Sequence, residues 1–237
     1  MQSTEQTGAQ TRDTVYLFDV DNTLLDNDKV TADLRQHLEA EFGASSAQRY
    51  WSIFEALRTE LGYADYLGAL QRYRLDAELA LFGDTRLLKM SAFLLDYPFP
   101  SVLYPGALDV LRHFQRFGKC VILSDGDAVF QPRKVQRSGL WDAVDGRVLI
   151  YIHKEKMLDA MQRSFPARHY VMVDDKLRIL AAMKSAMVER LTTVFVRQGH
   201  YALDVALVAQ YPPADVTVDT IAALTASGIE RLVPLPS

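Results

Sequence analysis

A single cysteine, Cys120, occurs in 237 residues, so no internal disulfide can brace this fold. It lies in the apolar run Cys120-Val121-Ile122-Leu123, the setting of a buried structural thiol rather than a reactive one. No run of about 18 apolar residues occurs, which excludes a membrane-spanning helix and leaves no reason to expect a membrane partner. No basic run occurs either, and a formal net charge of −4 argues against a general nucleic-acid binder. The first 13 residues are polar, without the apolar stretch of a secretory signal, and read as a disordered leader, so a cytoplasmic location is expected. Internal repeats and low-complexity tracts are lacking. What remains is an ordinary globular composition, 49% hydrophobic and 24% charged, long enough for one large domain or a core with an inserted subdomain.

The most informative stretch is Val15-Tyr16-Leu17-Phe18-Asp19-Val20-Asp21-Asn22-Thr23-Leu24-Leu25. Four apolar residues read as a buried parallel strand that stops at two aspartates one residue apart. Two carboxylates held close at a strand's end repel unless a cation compensates them. A hard divalent ion with oxygen ligands suits them, with Mg2+ the first candidate.

Residues 30–96 change character, with helical periodicity and no strand pattern: Leu34, Leu38 and Phe42, then Tyr50, Phe54, Leu57 and Leu61, continued over 65–81 and 85–95. Gly43, Gly62 and Gly83 punctuate it where helices would stop, and Pro98, Pro100 and Pro105 close it. From Tyr104 the pattern alternates. Helices are predicted over 106–117, 155–164, 176–187 and 201–209, and strands over 120–123, 147–152, 170–173, 192–196 and 216–218. Such alternation predicts an α/β, Rossmann-like parallel sheet with helices on both faces and an inserted all-helical subdomain. The predicted division is a leader over 1–13, an α/β core of 14–28 and 100–237, and a helical cap of 29–99.

In open α/β sheets ligands bind beyond the carboxyl ends of the strands. The polar residues after each predicted strand therefore form one constellation. It comprises Asp19, Asp21 and Thr23; Ser124-Asp125-Gly126-Asp127; His153-Lys154-Glu155-Lys156; and Asp174-Asp175-Lys176. Of the two lysines, Lys154 lies nearer the strand end, 20 residues before Asp174, leaving room for a helix and a return loop. Lys156 remains the alternative. His153 and His200 fit capping or surface roles, Asp125 and Asp127 fit either a helix cap or a pocket wall, and Arg58, Arg72 and Arg74 are candidates to reach an anionic tail.

With these residues in view, the chain resembles the haloacid dehalogenase-like (HAD) superfamily over essentially everything after the leader. Asp19-Val20-Asp21-Asn22-Thr23 matches its first motif, Ser124 its second, Lys154 or Lys156 its third, and Asp174-Asp175 its fourth. The superfamily's commonest form has a further Asp or Asn about four residues beyond the acidic site, where this chain has Arg178 and Ile179. The resemblance implies a Mg2+-dependent phosphatase of a small phosphorylated metabolite, working through an aspartyl-phosphate. Asp19 would be the nucleophile and Asp21 the acid and base, a second aspartate that dehalogenating members lack. Asp19, Asp21 through its backbone carbonyl, Asp174 and Asp175 would hold the metal. Thr23, Ser124, Asp125, Gly126 and a lysine, Lys154 or Lys156, would bind the phosphoryl group or substrate. A phosphomutase using the same residues is the nearest alternative. A non-catalytic phospho-accepting or metal-binding module is the other, although receiver-type modules carry these residues in another order and lack a long helical insertion. A monomer or homodimer is expected, with no nucleic acid or membrane partner.

Overall fold

In the computed structural model, residues 13–75, 85–226 and 228 are described. Gly83, the last residues of the predicted 65–81 helix and nearly all of the predicted leader lie outside them. Six parallel strands form one sheet in the order β3-β2-β1-β4-β5-β6. They are β1 (Thr14–Phe18), β2 (Lys119–Asp125), β3 (Val148–Tyr151), β4 (His169–Asp174), β5 (Leu191–Val196) and β6 (Val216–Val218). The predicted α/β parallel architecture is therefore the observed one.

Every residue of β1 is buried, and side chains alternate between the sheet faces as the pleat requires. Tyr16 and Phe18 join the larger core with Cys120 and Ile122, while Val15 and Leu17 join Val121, Leu123, Tyr170 and Met172 on the other face. Burial pushes the Cys120 thiol up to about 12, as befits a packing residue.

Among the described residues, the segment over residues 27–96 forms four α-helices. They are α1 (Asn27–Phe42), α2 (Ala44–Leu61), α3 (Tyr66–Arg74) and α4 (Thr85–Asp96). Asp26 caps α1 by accepting from the Lys29 backbone N–H at 2.8 Å. Gly62 ends α2 in the left-handed conformation at φ 79°, where a Cβ is unfavourable. Val30, Leu34 and Leu38 of α1 and Tyr50, Phe54 and Leu57 of α2 turn inward, the stripe the periodicity predicts. The two connections run side by side: Asp26 N donates to Val102 O at 2.8 Å and Tyr104 N to Leu24 O at 3.0 Å.

Around the sheet lie α5 (Ala107–Phe114), α6 (Phe130–Arg137), α7 (Leu140–Ala143), α8 (Leu158–Ser164), α9 (Leu177–Met187), α10 (Gly199–Leu203) and α11 (Val205–Val208). Three predicted helices are shorter or broken; the one expected over 106–117 spans Ala107–Phe114. The one expected from residue 155 begins at Leu158, after a 3-10 turn over Lys154–Lys156. The one expected over 201–209 splits at Asp204, whose side chain accepts from Leu207 N at 3.0 Å and starts a new turn. Periodicity indicates no element between Gly126 and Arg147, yet α6 and α7 lie there; Pro132 and five charged or amide side chains of α6 hide the pattern. No described helix is long and apolar enough to cross a membrane.

Candidate active site

The chain builds β1, β2 and β3 outward in one direction, then crosses to the other side of β1 for β4. That reversal opens a crevice beyond the carboxyl ends of β1 and β4. Asp19 leaves β1 there, its N–H still donating to Val173 O at 3.0 Å, so it stands beside Asp174 at the end of β4. The backbone then turns sharply. Asn22 sits at φ 62°, and the N–H groups of Thr23, Leu24 and Leu25 all converge on Val20 O. Asn tolerates this left-handed conformation. Here its side chain also accepts from Asn27 N at 3.0 Å and Asp28 N at 3.2 Å, tying the turn to the start of α1.

Asp19 is buried, 3% exposed. Its Oδ1 takes the Lys154 ammonium at 2.5 Å and a longer contact from Ser124 Oγ at 3.4 Å, while Oδ2 accepts from Thr23 Oγ1 at 3.3 Å. Lys154 also lies 2.7 Å from Asp174 Oδ2, with its backbone N–H on Asp125 Oδ1 at 2.7 Å. Burial alone would lower the Lys154 ammonium, but Asp174, Asp19 and Asp125 outweigh it and hold it above the ordinary lysine range. Burial raises Asp125 to about 6, against the pull of Lys154.

Asp174 and Asp175 are both fully buried. Asp174 Oδ1 accepts from Lys176 N at 2.8 Å. Among the described residues, neither carboxylate oxygen of Asp175 has a hydrogen-bond partner. Burial drives Asp175 well above the usual carboxylate range, although Lys176 opposes the shift. Buried orphan oxygens are costly. Oxygens of Asp19, Asp174 and Asp175 converge to within 4.8 Å of one another. A hard, oxygen-loving dication fits this donor set.

Asp21 stands further out, lining a cavity of about 300 Å³ between the helical block and the sheet edge. Asp125, Gly126, Gln131, Lys134 and His153 line it from the core, and Arg58, Tyr63 and Tyr66 from the helical block.

The structure thus brings Asp19, Thr23, Ser124, Lys154, Asp174 and Asp175 together, with Asp21, Asp125 and Gly126 at the cavity wall. One expectation needs correction. Lys156 is exposed and does not line the cavity. A 3-10 turn has three residues per revolution, so residues two apart face different ways. Thr23 is fully buried and its hydroxyl donates to Asp19 Oδ2 at 3.3 Å, which makes it a support of that carboxylate. Gly126 serves close packing, since a Cβ there would lie 2.6 Å from Gln131 Cβ. Asp127 is a turn cap, accepting from Val129 N at 2.8 Å and Phe130 N at 2.6 Å. His200 pairs with Asp28, Nδ1 to Oδ1 at 2.6 Å. Of the three arginines only Arg58 lines the cavity; Arg72 is engaged by Glu60 at 2.8 Å. Arg178, which stands where the superfamily's commonest form has a further acid or amide, pairs with Glu155 at 3.0 Å.

Sequence reasoning missed Gln131 and Lys134. Gln131 Nε2 donates to Ser124 Oγ at 3.0 Å and Lys134 Nζ to Asp21 Oδ1 at 2.7 Å. Their spacing of three residues on α6 puts both on one helical face, a signal that goes unseen until a helix is assigned there.

The haloacid dehalogenase-like hydrolase family model matches residues 14–187. The chain belongs to that family. A HAD-like hydrolase from Burkholderia xenovorans is 68% identical, with a TM-score of 0.84 over 90% of this chain and 98% of its own. A HAD hydrolase from Bacillus subtilis, bound to magnesium in its crystal, is 19% identical, with a TM-score of 0.59 over 91% and 98% of the two chains. The L-2-haloacid dehalogenase of Xanthobacter autotrophicus, holding covalently bound chloropropionic acid, is 17% identical, with a TM-score of 0.58 over 91% and 97%. No curated protein sequence matches. As a HAD-like hydrolase the protein is an enzyme, and the buried acidic triad of this member could bind a metal.

Proposed function

We propose that this HAD-like hydrolase is a Mg2+-dependent phosphatase of a small phosphorylated metabolite, acting through an aspartyl-phosphate on Asp19. The observation that carries the reading is Asp21, a second carboxylate in the cavity wall beyond a nucleophile that is already buried and held. A departing halide needs no proton, so a dehalogenase has no use for this group; a departing alkoxide does need one.

In the first step the Asp19 carboxylate attacks phosphorus, the ester P–O bond breaks, and Asp21 gives a proton to the departing oxygen. In the second, water attacks the phosphorus of the acyl phosphate, Asp21 takes the water's proton, and the bond to Asp19 breaks to release phosphate. Lys154 and Ser124, already on Asp19, are placed to meet phosphoryl oxygens as they approach it. Asp19, Asp174 and Asp175, with the Asp21 carbonyl, would hold Mg2+, which supplies charge neutralisation to the transferring phosphoryl group.

A panel of phosphate esters offered to the purified protein with and without Mg2+ tests the reading. Metal-dependent phosphate release supports it. Isomerised product without free phosphate would favour the mutase instead, and halide release from 2-haloacids with no phosphate release would refute it.

Chelation should abolish activity and Mg2+ restore it. Because both Asp175 oxygens lack partners among the described residues whereas Asp174 already answers Lys154 and Lys176 N, the two should differ. Asp175→Ala is expected to raise the Mg2+ half-saturation by about 100-fold or more and Asp174→Ala by about tenfold. Mg2+ titration of activity and of melting temperature checks this, and the reverse order would exchange the two roles.

The helical block, joined to the core by two adjacent connections, would act as a lid that excludes bulk water. It should restrict the enzyme to small esters. Small metabolite esters are expected to exceed phosphoproteins in kcat/KM by at least about 100-fold, the scale on which misplacing a reacting group costs rate. Comparable values would remove the lid from the account.

A further inference from the structure

Lys134 is a buried lysine, its side chain 1% exposed. Its ammonium donates to Asp21 Oδ1 at 2.7 Å and to Asn27 Oδ1 at 2.8 Å, and lies 5.0 Å from the centroid of the Phe130 ring. Stability does not explain it. Removing a charge from water costs at least as much as one ion pair returns, and apolar replacements of such pairs are often neutral or stabilising. The position of its partner does explain it. Asp21 Oδ1 takes Lys134 and, at 3.4 Å, Gln131 Nε2, both from α6. Oδ2 receives no hydrogen bond from the described residues, and Asp21 lines the cavity. One carboxylate oxygen is thus anchored and the other left for chemistry.

The second bond closes a circuit. Asn27 is the first residue of α1, and its own N–H donates to Asn22 Oδ1 at 3.0 Å. Asn22 follows Asp21 in the chain. Asp21, Lys134, Asn27 and Asn22 therefore form a ring around the peptide that carries the second aspartate. The ring includes the residue on which the helical block begins.

We propose that Lys134 is a positioning residue for Asp21. It grips Oδ1 so that Oδ2 is presented to the leaving oxygen, and through Asn27 it makes that alignment depend on the seating of α1. A side chain held this way saves the alignment that a freely rotating carboxylate must find in the transition state. The inference rests on the acid role proposed for Asp21.

The test compares the full-length wild type with Lys134→Met, Asn27→Ala and the double variant, with Mg2+, on p-nitrophenyl phosphate and β-glycerophosphate. The nitrophenolate leaves without a proton, whereas the glycerol alkoxide does not. Lys134→Met should lose about 100-fold in the rate of Asp19 phosphorylation by the alkyl ester and only about threefold by the aryl ester, read by rapid quench in a single turnover, since general-acid catalysis is worth about that much. Asp21, its side chain 26% exposed, keeps contact with solvent in this variant, so the melting temperature should stay near that of the wild type. Asn27→Ala should shift the ratio of the two rates in the same direction, and the double variant should be no worse than Lys134→Met, because the two act in one ring.

Equal losses on both esters, or a loss confined to KM, would overturn the proposal. If Lys134→Met does not fold, Asn27→Ala decides it alone by the same ratio. A wild type that hydrolyses neither these esters nor any in the panel removes the phosphatase reading and this inference with it. A wild type whose Asp21→Asn variant is selective for leaving group while Lys134→Met is not removes only this inference.

Discussion

Asp19→Asn is expected to lower kcat by at least about ten-thousand-fold, the scale of loss when a covalent catalyst is removed. The amide keeps the shape of the side chain: its oxygen can still accept from Ser124, and its NH2 can donate to the Thr23 hydroxyl oxygen, so the local packing has little reason to change. Lys154 is not orphaned either, because Asp174 stays within 2.7 Å of its ammonium. That matters, since an unpaired buried charge would destabilise the fold and confuse the result. Circular dichroism and melting should therefore resemble the wild type while turnover disappears. Mass spectrometry of the wild type quenched during turnover should show one added phosphoryl group on Asp19, absent from the variant. Activity within about tenfold of wild type would remove Asp19 as nucleophile.

The sheet and the meeting of its strand ends were legible because burial on both faces writes itself as apolar runs: Val15 to Phe18, Cys120 to Leu123 and Tyr170 to Val173. Each run stops at a polar residue, and parallel alignment brings those stops to one edge. Asp19, Ser124, Lys154 and Asp174 thus stand out from the sequence alone. Side-chain direction could not. The choice between Lys154 and Lys156 turns on three residues forming a 3-10 turn instead of the first turn of a helix. Thr23 reads as a ligand contact in one dimension and proves to face Asp19, because the Val20–Leu25 turn folds it inward. Lys134 and Gln131 were invisible for another reason. They lie on a short helix with Pro132 in its first turn, and their partners are 113 and 110 residues distant in sequence. No local pattern reports a contact of that range.

Asp21→Asn should separate two kinds of substrate. On an alkyl phosphate the loss is expected to be about a thousandfold, because the alkoxide needs a proton as the P–O bond breaks and a general acid is worth roughly 100- to 10,000-fold there. On p-nitrophenyl phosphate the first step needs no proton, so Asp19 should still be phosphorylated quickly. The second step is different: water must lose a proton as it attacks, and without Asp21 the aspartyl-phosphate should accumulate. The variant would then show a burst of nitrophenol close to one per active site, followed by slow turnover. The amide retains an oxygen that Lys134 and Gln131 can still bond, so the group is in place and only its proton chemistry is gone. Rapid-quench kinetics on both esters checks the prediction. Equal losses with no burst would mean that Asp21 neither gives nor takes the proton, and the carboxylate that carries the phosphatase reading would lose its role.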